Sequence, residues 1–267
     1  ISFLQNKVLN IAGSEPILGG FGLGDGPLTR TEAGYPIGSF YLYKMVGIFQ
    51  SKAEVDASPF QTIYTRPGDV KFADINGDGK IDDKDRVHAG SPFPNFTYGV
   101  NISFNWKNFD FSLLGQGVQG NDVYFLYGNF AYDVQSRGFN SYQEILNRWT
   151  PTNTNTNIPE VTLDDRNGNG RSSTRFLQDG SYFRIRNISL GYNLKDVLHL
   201  KNIGGCRVYV TVQNAFTWTH YTGLDPEIQA NSNDTKGLGL SSDLAVGVDW
   251  GTVPAPRTFI AGFKIDF

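Results

Sequence analysis

The sequence predicts an all-β fold of antiparallel strands built to cross a membrane as part of a barrel, and three observations carry that prediction. Apolar and polar residues alternate in segments of about ten, the length a tilted membrane strand requires. The composition favours strands and turns: 14% of the 267 residues are aromatic, 31 are glycine and only 18% are charged, against roughly 25% charged in typical soluble domains. The connections between segments alternate between short and long, as in barrels with turns at one end and loops at the other.

Residues 1–11 and 37–49 are the two weaker strand candidates. The clearest is "TYGVNISFNW", which places Tyr98, Val100, Ile102, Phe104 and Trp106 on one face and Thr97, Gly99, Asn101, Ser103 and Asn105 on the other. Only Lys107 and Asn108 separate it from "FDFSLLGQGVQG", where Phe109, Phe111 and Leu113 resume the apolar face, so the two read as a tight hairpin. In "ISLGYNL", Ile188, Leu190 and Tyr192 are in phase, but Phe183 and Ile185 before them are out of phase by one, which predicts a bulge near Arg186 and Asn187. "RVYVTVQNAFTW" aligns Val208, Val210, Val212, Phe216 and Trp218. "TFIAGFKIDF" sets Phe259, Ala261, Phe263, Ile265 and Phe267 against Gly262, Lys264 and Asp266. These make seven strands. Trp106 beside a short turn, and Trp218 with His220 and Tyr221 beside a long loop, fit interfacial girdles at opposite strand ends; the core of a soluble β-sandwich also fits them.

The connections span two residues after Trp106, about ten after Leu194, roughly 60 from Gly120 to Ser181 and about 35 from Thr219 to Pro256, the last two far beyond ordinary loops. With the final strand running toward the short-turn end, strand parity puts residues 12–36 at that end too, where a shorter turn is expected. The Gly-rich "LGGFGLGDG" at 18–26 lacks phosphate-loop spacing and reads as a flexible connection. Ser141 and Glu144 have capping-box spacing before Ile145, Leu146 and Trp149, predicting one short helix inside a long loop. Tyr124, Phe125, Tyr127 and Tyr132 in that loop suit either stacking on sugars or packing the loops together.

The chemically pointed stretch is "FADINGDGKIDDKDRV". Asp74, Asn76 and Asp78 fall at positions one, three and five of a calcium loop, with Gly79 at the sharp turn, the Lys80 carbonyl at seven, Ile81 packing inward, and Asp82 and Asp85 at nine and twelve. Calcium prefers six to eight hard oxygens, and carboxylates brought together without a cation repel one another. A solvated Asp/Asn/Gly turn without metal is the other reading. No helix enters at "RPGDVKF" and no second loop pairs with this one, so a bound Ca²⁺ would be a structural staple rather than a sensor.

A net charge of -3 without a Lys/Arg cluster argues against nucleic-acid partners. The single Cys206 permits no internal disulfide, and His88, His199 and His220 are scattered. No nucleophile, Walker or dinucleotide motif is present, so no catalytic residue is assigned and an enzyme is not expected. No run of about 18 apolar residues exists, which is uninformative for strands. The opening "ISFLQNKVLN" begins as if within a strand, so the chain reads as a piece of something longer.

"GYPIGSFYLYKMVGIFQSKAEVD", "PGDVKFADINGDGKIDDKDRVHAGSPFPNFTYGVNISFNWKNFDFSLLGQG", "SYFRIRNISLGYNL", "RVYVTVQNAFTWTHYTGLDPE" and "PAPRTFIAGFKIDF", in this order, resemble the C-terminal part of SusC/RagA-like TonB-dependent outer-membrane transporters across residues 1–267. Leu42 departs from the Gly common in the family at that place. The resemblance implies a barrel of about 22 strands around a plug, of which about seven lie here. The plug and the N-terminal region that meets the TonB–ExbB–ExbD complex would lie upstream. It implies a Gram-negative outer membrane with its lipid and lipopolysaccharide, a SusD-like lipoprotein lid, and import of glycan or peptide oligomers. It places the loop at 74–85 outside the cell near the lid. It also makes Phe259, Phe263, Ile265 and Phe267 the signal for the barrel-assembly machinery. No substrate-binding residue is indicated. The competing expectation is a secreted, calcium-stabilised β-sandwich that binds carbohydrate.

Overall fold

A computed structural model describes residues 1–13, 15–21, 26–131, 140–162, 164–194, 204–228 and 244–266. One large sheet forms a wall from β1 (Ser2–Phe3), β2 (Phe96–Trp106), β3 (Phe109–Gln119), β4 (Tyr182–Asn193), β5 (Gly205–Thr219) and β6 (Thr258–Asp266), in sequence order and antiparallel throughout. The Lys107–Asn108 hairpin pairs Trp106 with Phe109, and Lys107 takes the left-handed φ of 52° that a two-residue turn asks for. The bulge falls where the parity slip put it. Pairing skips from Ile185 to Asn187 against both neighbours of β4, and β5 answers with Asn214 at φ 50°.

The apolar face of the wall is uncovered. Trp106 is 60% exposed and Phe263 74%, with Val100, Ile102, Phe104, Val210 and Phe259 beside them in the open. A β-sandwich buries this face beneath a second sheet, and no described element lies over it. At the long-loop end a row of rings crosses the wall: Phe3, Phe96, Tyr98, Phe183, Trp218 and Phe216, with successive centroids 5.8–6.0 Å apart. At the short-turn end Trp106, Phe109 and Tyr192 form a second group, joined at 6.3 and 4.6 Å. From Tyr98 to Trp106 the strand advances about 26 Å, or about 20 Å along the normal at a tilt near 40°, which matches a lipid-facing band between two aromatic girdles.

Two strand expectations need correction. Residues 1–11 contribute only Ser2–Phe3 to the wall. The 37–49 segment is not a wall strand: its Ser39–Tyr43 and Met45–Ile48 pair in other sheets, because Phe40 and Leu42 are fully buried with Ser39 on the opposite face, leaving no side for lipid. The described wall therefore holds six strands, not seven. The path from β1 to β2 becomes one excursion, leaving the wall at the same end as the β3–β4 and β5–β6 connections. Residues 12–36 sit in that excursion at the long-loop end, and the parity conflict disappears.

The three excursions fold together. Ile17–Phe21, Pro27–Thr31, Ser39–Tyr43 and Arg86–Gly90 form a four-stranded sheet. Asp122–Phe125 pairs antiparallel with Leu177–Asp179 and parallel with Val248–Asp249, so the second and third excursions share a sheet. Their common core is Leu28, Phe40 and Leu42 from the first, Tyr124, Leu126 and Phe176 from the second, and Val248 and Trp250 packed on from the third. Tyr124 and Phe125 are thus loop-packing rings rather than exposed stacking platforms, Tyr127 is 41% exposed, and Tyr132 lies outside the described residues.

Two local expectations also change. Residues 18–21 of the Gly-rich stretch belong to a strand paired with Pro27–Thr31, in which Gly19 lets the backbone pass Leu244: a Cβ there would lie 2.3 Å from that residue's own. The expected helix is a 3-10 turn over Gln143–Asn147 led by Tyr142 with no side-chain cap, so Ser141 does not cap it. The chain leaves it extended at Arg148, and Trp149 N–H donates to the Ile158 carbonyl instead of continuing a helix.

Candidate functional site on the inner wall and loop layer

The polar face of the wall carries paired charges. Arg207 bridges to Asp110 through its Nε at 2.8 Å, across the bare backbone of Gly191; a Cβ at Gly191 would meet both partners at 2.2–2.5 Å. Nearer the loops, Arg184 lies buried and donates from Nε to Thr217, from Nη1 to Glu227 and from Nη2 to Asp225 at 2.6 Å. Asp225 also accepts from the backbone of Glu227 and Ala255, and Arg186 donates to Glu227 and Gln116. The bulge turns Arg186 and Asn187 inward together, so two arginines from one strand clamp the start of the third excursion to the wall.

The loop at 74–85 folds on its own backbone. Asp74 accepts from the N–H groups of Gly77 and Gly79, Asn76 from Asp78, and Asp78 from Lys80. Asp85 is completely buried and takes three backbone donors, from Ile75, Asn76 and Asp82. Asp82 caps the turn at Asp83–Asp85, and the Lys80 ammonium 2.7 Å away holds its carboxyl below the usual carboxylate range. The chain enters on a strand, Val70–Phe72, where the sequence reading only excludes a helix. No cluster of three or more acidic, imidazole or thiol groups is gathered as a metal cage among the described residues. The half-buried Asp74 and the exposed Asn76 and Asp78 stand at calcium-loop spacing, and Lys80 can offer its carbonyl, so the donor types suit a hard cation.

A second loop of similar pattern escaped the sequence reading. "DRNGNG" at 165–170 also has Asp, Asn, Asn and Gly at positions one, three, five and six, but here amides do a cation's work. Asn167 accepts from Gln61 and Thr65 and donates to the Val70 carbonyl and Asn169. Asn169 accepts from the Val70 N–H at 2.9 Å and donates to Asp69. Burial pushes the Asp69 and Asp165 carboxyls up, against the hydrogen bonds that pull them down. Asn169→Ala would strand the Val70 donor and an Asp69 oxygen in the interior. The expected cost is about 1–3 kcal/mol of loop-layer stability, read as faster hydrogen exchange at Val70; unchanged exchange would refute the bridging role. A cleft of about 340 Å³ opens onto this network, lined by its Asp69 and Asn167 and by Tyr64, Arg66, Thr162, Asp164 and Arg166. Its two arginines are engaged by Glu160 and Asp164.

The remaining candidates are placed plainly. Phe259, Phe263 and Ile265 point outward from β6, while Phe267 lies outside the described residues. His88, scattered from the other histidines in sequence, has its Nε2 2.6 Å from Glu32 and its ring stacked on Tyr35 at 3.7 Å. Burial pushes the Glu32 carboxyl up, but the bonds to His88 and Arg30 outweigh it and hold the group low. No described helix is long and apolar enough to cross a membrane, which says nothing of crossing by strands.

No family model matches the sequence. TonB-dependent receptor P3 of Formosa agariphila is 35% identical over 236 residues, which is 88% of this chain and 22% of the receptor. TonB-dependent receptor P26 of the same organism is 33% identical over the whole chain and 26% of its own length. TonB-dependent receptor SusC of Bacteroides thetaiotaomicron is 28% identical over the whole chain and 24% of its own. The chain thus spans about a quarter of the length of these curated relatives. Among solved structures, the RagAB peptide transporter superposes with a TM-score of 0.66 at 22% identity, over 94% of this chain and 24% of its own. The RagAB peptide importer in its open-open state gives 0.65 at 21% identity, over all of this chain and 25% of its own. Sequence and fold agree in identifying the chain as SusC/RagA-like, a piece of a TonB-dependent receptor of that family.

Proposed function

We propose that the chain supplies the C-terminal wall and outer loops of an outer-membrane importer, a barrel of about 22 strands that takes up glycan or peptide oligomers under TonB drive. The observation that carries this reading is the wall: apolar outside, polar and charge-paired inside, ringed by aromatics at two levels, with all three long excursions at one end. That end faces the medium, where a SusD-like lipoprotein would close over the loop layer. The names of the relatives support TonB coupling, and the neighbour's description as a peptide transporter makes peptides one substrate class to try. The test uses the full-length protein in a Gram-negative host. A heat-modifiable outer-membrane band, a co-purifying lipoprotein and oligomer uptake that stops without TonB are expected; a soluble secreted product would refute the reading.

Within it, the outward residues Phe259, Phe263 and Ile265, with Phe267, act as the assembly signal. Deleting Phe267 is expected to lower the yield of heat-modifiable barrel, and an unchanged yield would remove that role. Calcium at Asp74, Asn76, Asp78, the Lys80 carbonyl, Asp82 and Asp85 would staple the first excursion. Added Ca²⁺ should then protect residues 50–94 from protease in the parent and not in Asp74→Ala/Asp78→Ala, with barrel yield equal in both. Protection that ignores Ca²⁺ in the parent counts against the site.

A further inference from the structure

The outward face is not uniformly smooth. On β4 the Tyr192 ring, braced edge-on by Phe109 at 4.6 Å, stands as a ridge. On β6 the Phe263 ring stands as another, and at that level β5 between them presents Val208 and Val210. Tyr192 pairs with Val208 and Val208 with Phe263, so the two ridges flank one strand at the same level; one step along, Val210 meets the small Ala261. The result is a groove of about 540 Å³ along β5, lined almost wholly by carbon. Adjacent strands lie about 4.8 Å apart, so the ridges stand about 10 Å from each other, room for one extended hydrocarbon chain and not for a helix, which is about 10 Å across before its partner surface is counted.

From this geometry we infer that the groove is a specific seat for one acyl chain of an anionic phospholipid in the periplasm-facing leaflet. The inference rests on the barrel reading above, and it adds a bound lipid at a named place on the wall. Three features commit it to that occupant. The groove is continuous with the lipid-facing surface and lies wholly among the strands β3 to β6. It sits at the short-turn end, away from the leaflet that the long loops adjoin. At the same end Lys107, two residues from Phe109, holds its ammonium 5.0 Å above the Trp106 ring, a cation at headgroup level for a phosphate. The floor is short where the walls are aromatic, so a chain in it gains contact on three sides.

The test is photo-labelling of the full-length protein in bilayers containing phosphatidylglycerol with a diazirine in its acyl chain. Peptides covering 205–212 and 258–264 are expected to carry at least threefold more label than the peptide covering 100–104. Val208→Phe, or Ala261→Phe where the first does not assemble, is expected to bring the groove peptides down to that level. Equal labelling of both regions in the parent overturns the inference, as does a cross-linked dimer through 205–212, which would make a second copy the occupant. A parent that forms no heat-modifiable barrel refutes the importer reading itself, and is told apart by that band.

Discussion

Arg184→Ala is expected to release the start of the third excursion from the wall. The guanidinium is 3% exposed and answers Asp225, 6% exposed, and Glu227; truncation leaves Asp225 without its counter-charge and without access to water, while Glu227 keeps Arg186. Breaking a buried pair from one side costs about 3–5 kcal/mol, far more than the pair's net worth when both partners go. Protease cleavage within residues 220–257 of the full-length protein should rise, while the wall, whose ladder does not use these side chains, keeps its heat-modifiable band. Arg184→Leu with Asp225→Leu should recover much of the protection because neither charge then remains buried. Equal cleavage in the parent and the single variant would mean that the clamp holds nothing.

Phe40→Ala is the second large effect. The ring is fully buried among Leu28, Leu42, Leu126 and Phe176, tilted 6.3 Å from Tyr124. Removing it costs about 3–5 kcal/mol through lost transfer energy and the cavity left behind. Because all three excursions meet in that core, faster hydrogen exchange is expected in Tyr124 and Val248 as well as in the mutated strand. Acceleration confined to residues near position 40 would show instead that the excursions fold independently.

The wall was legible because each of its strands writes its own environment into alternate residues: lipid against one face, water and paired charge against the other. The hairpin at Lys107 and the bulge at Arg186 are local events with local signatures, and both appear where the sequence puts them. Residues 37–49 misled for the same physical reason in reverse. Buried on both faces, Ser39–Tyr43 has no period to distinguish a loop-layer strand from a wall strand. The loop core and the Arg184 clamp join residues more than 40 positions apart, and nothing in either segment names its partner. The 165–170 loop did carry a signal, its Asp/Asn/Gly spacing, and a search for that pattern beyond residues 74–85 would have found it.

The shared core beneath the three excursions has a consequence for how such a chain diversifies. Tyr124 needs Leu28's neighbours and Val248's strand to be buried at all, so a loop transplanted singly from a relative arrives without the surfaces that complete it. Variation that preserves folding is confined to the outermost residues, such as the polar tip at 151–157. A wholesale change of what the outer surface recognises has to move residues 4–95, 120–181 and 220–257 as one inherited block. The hairpin strands below can then stay in register, indifferent to what the loop layer meets.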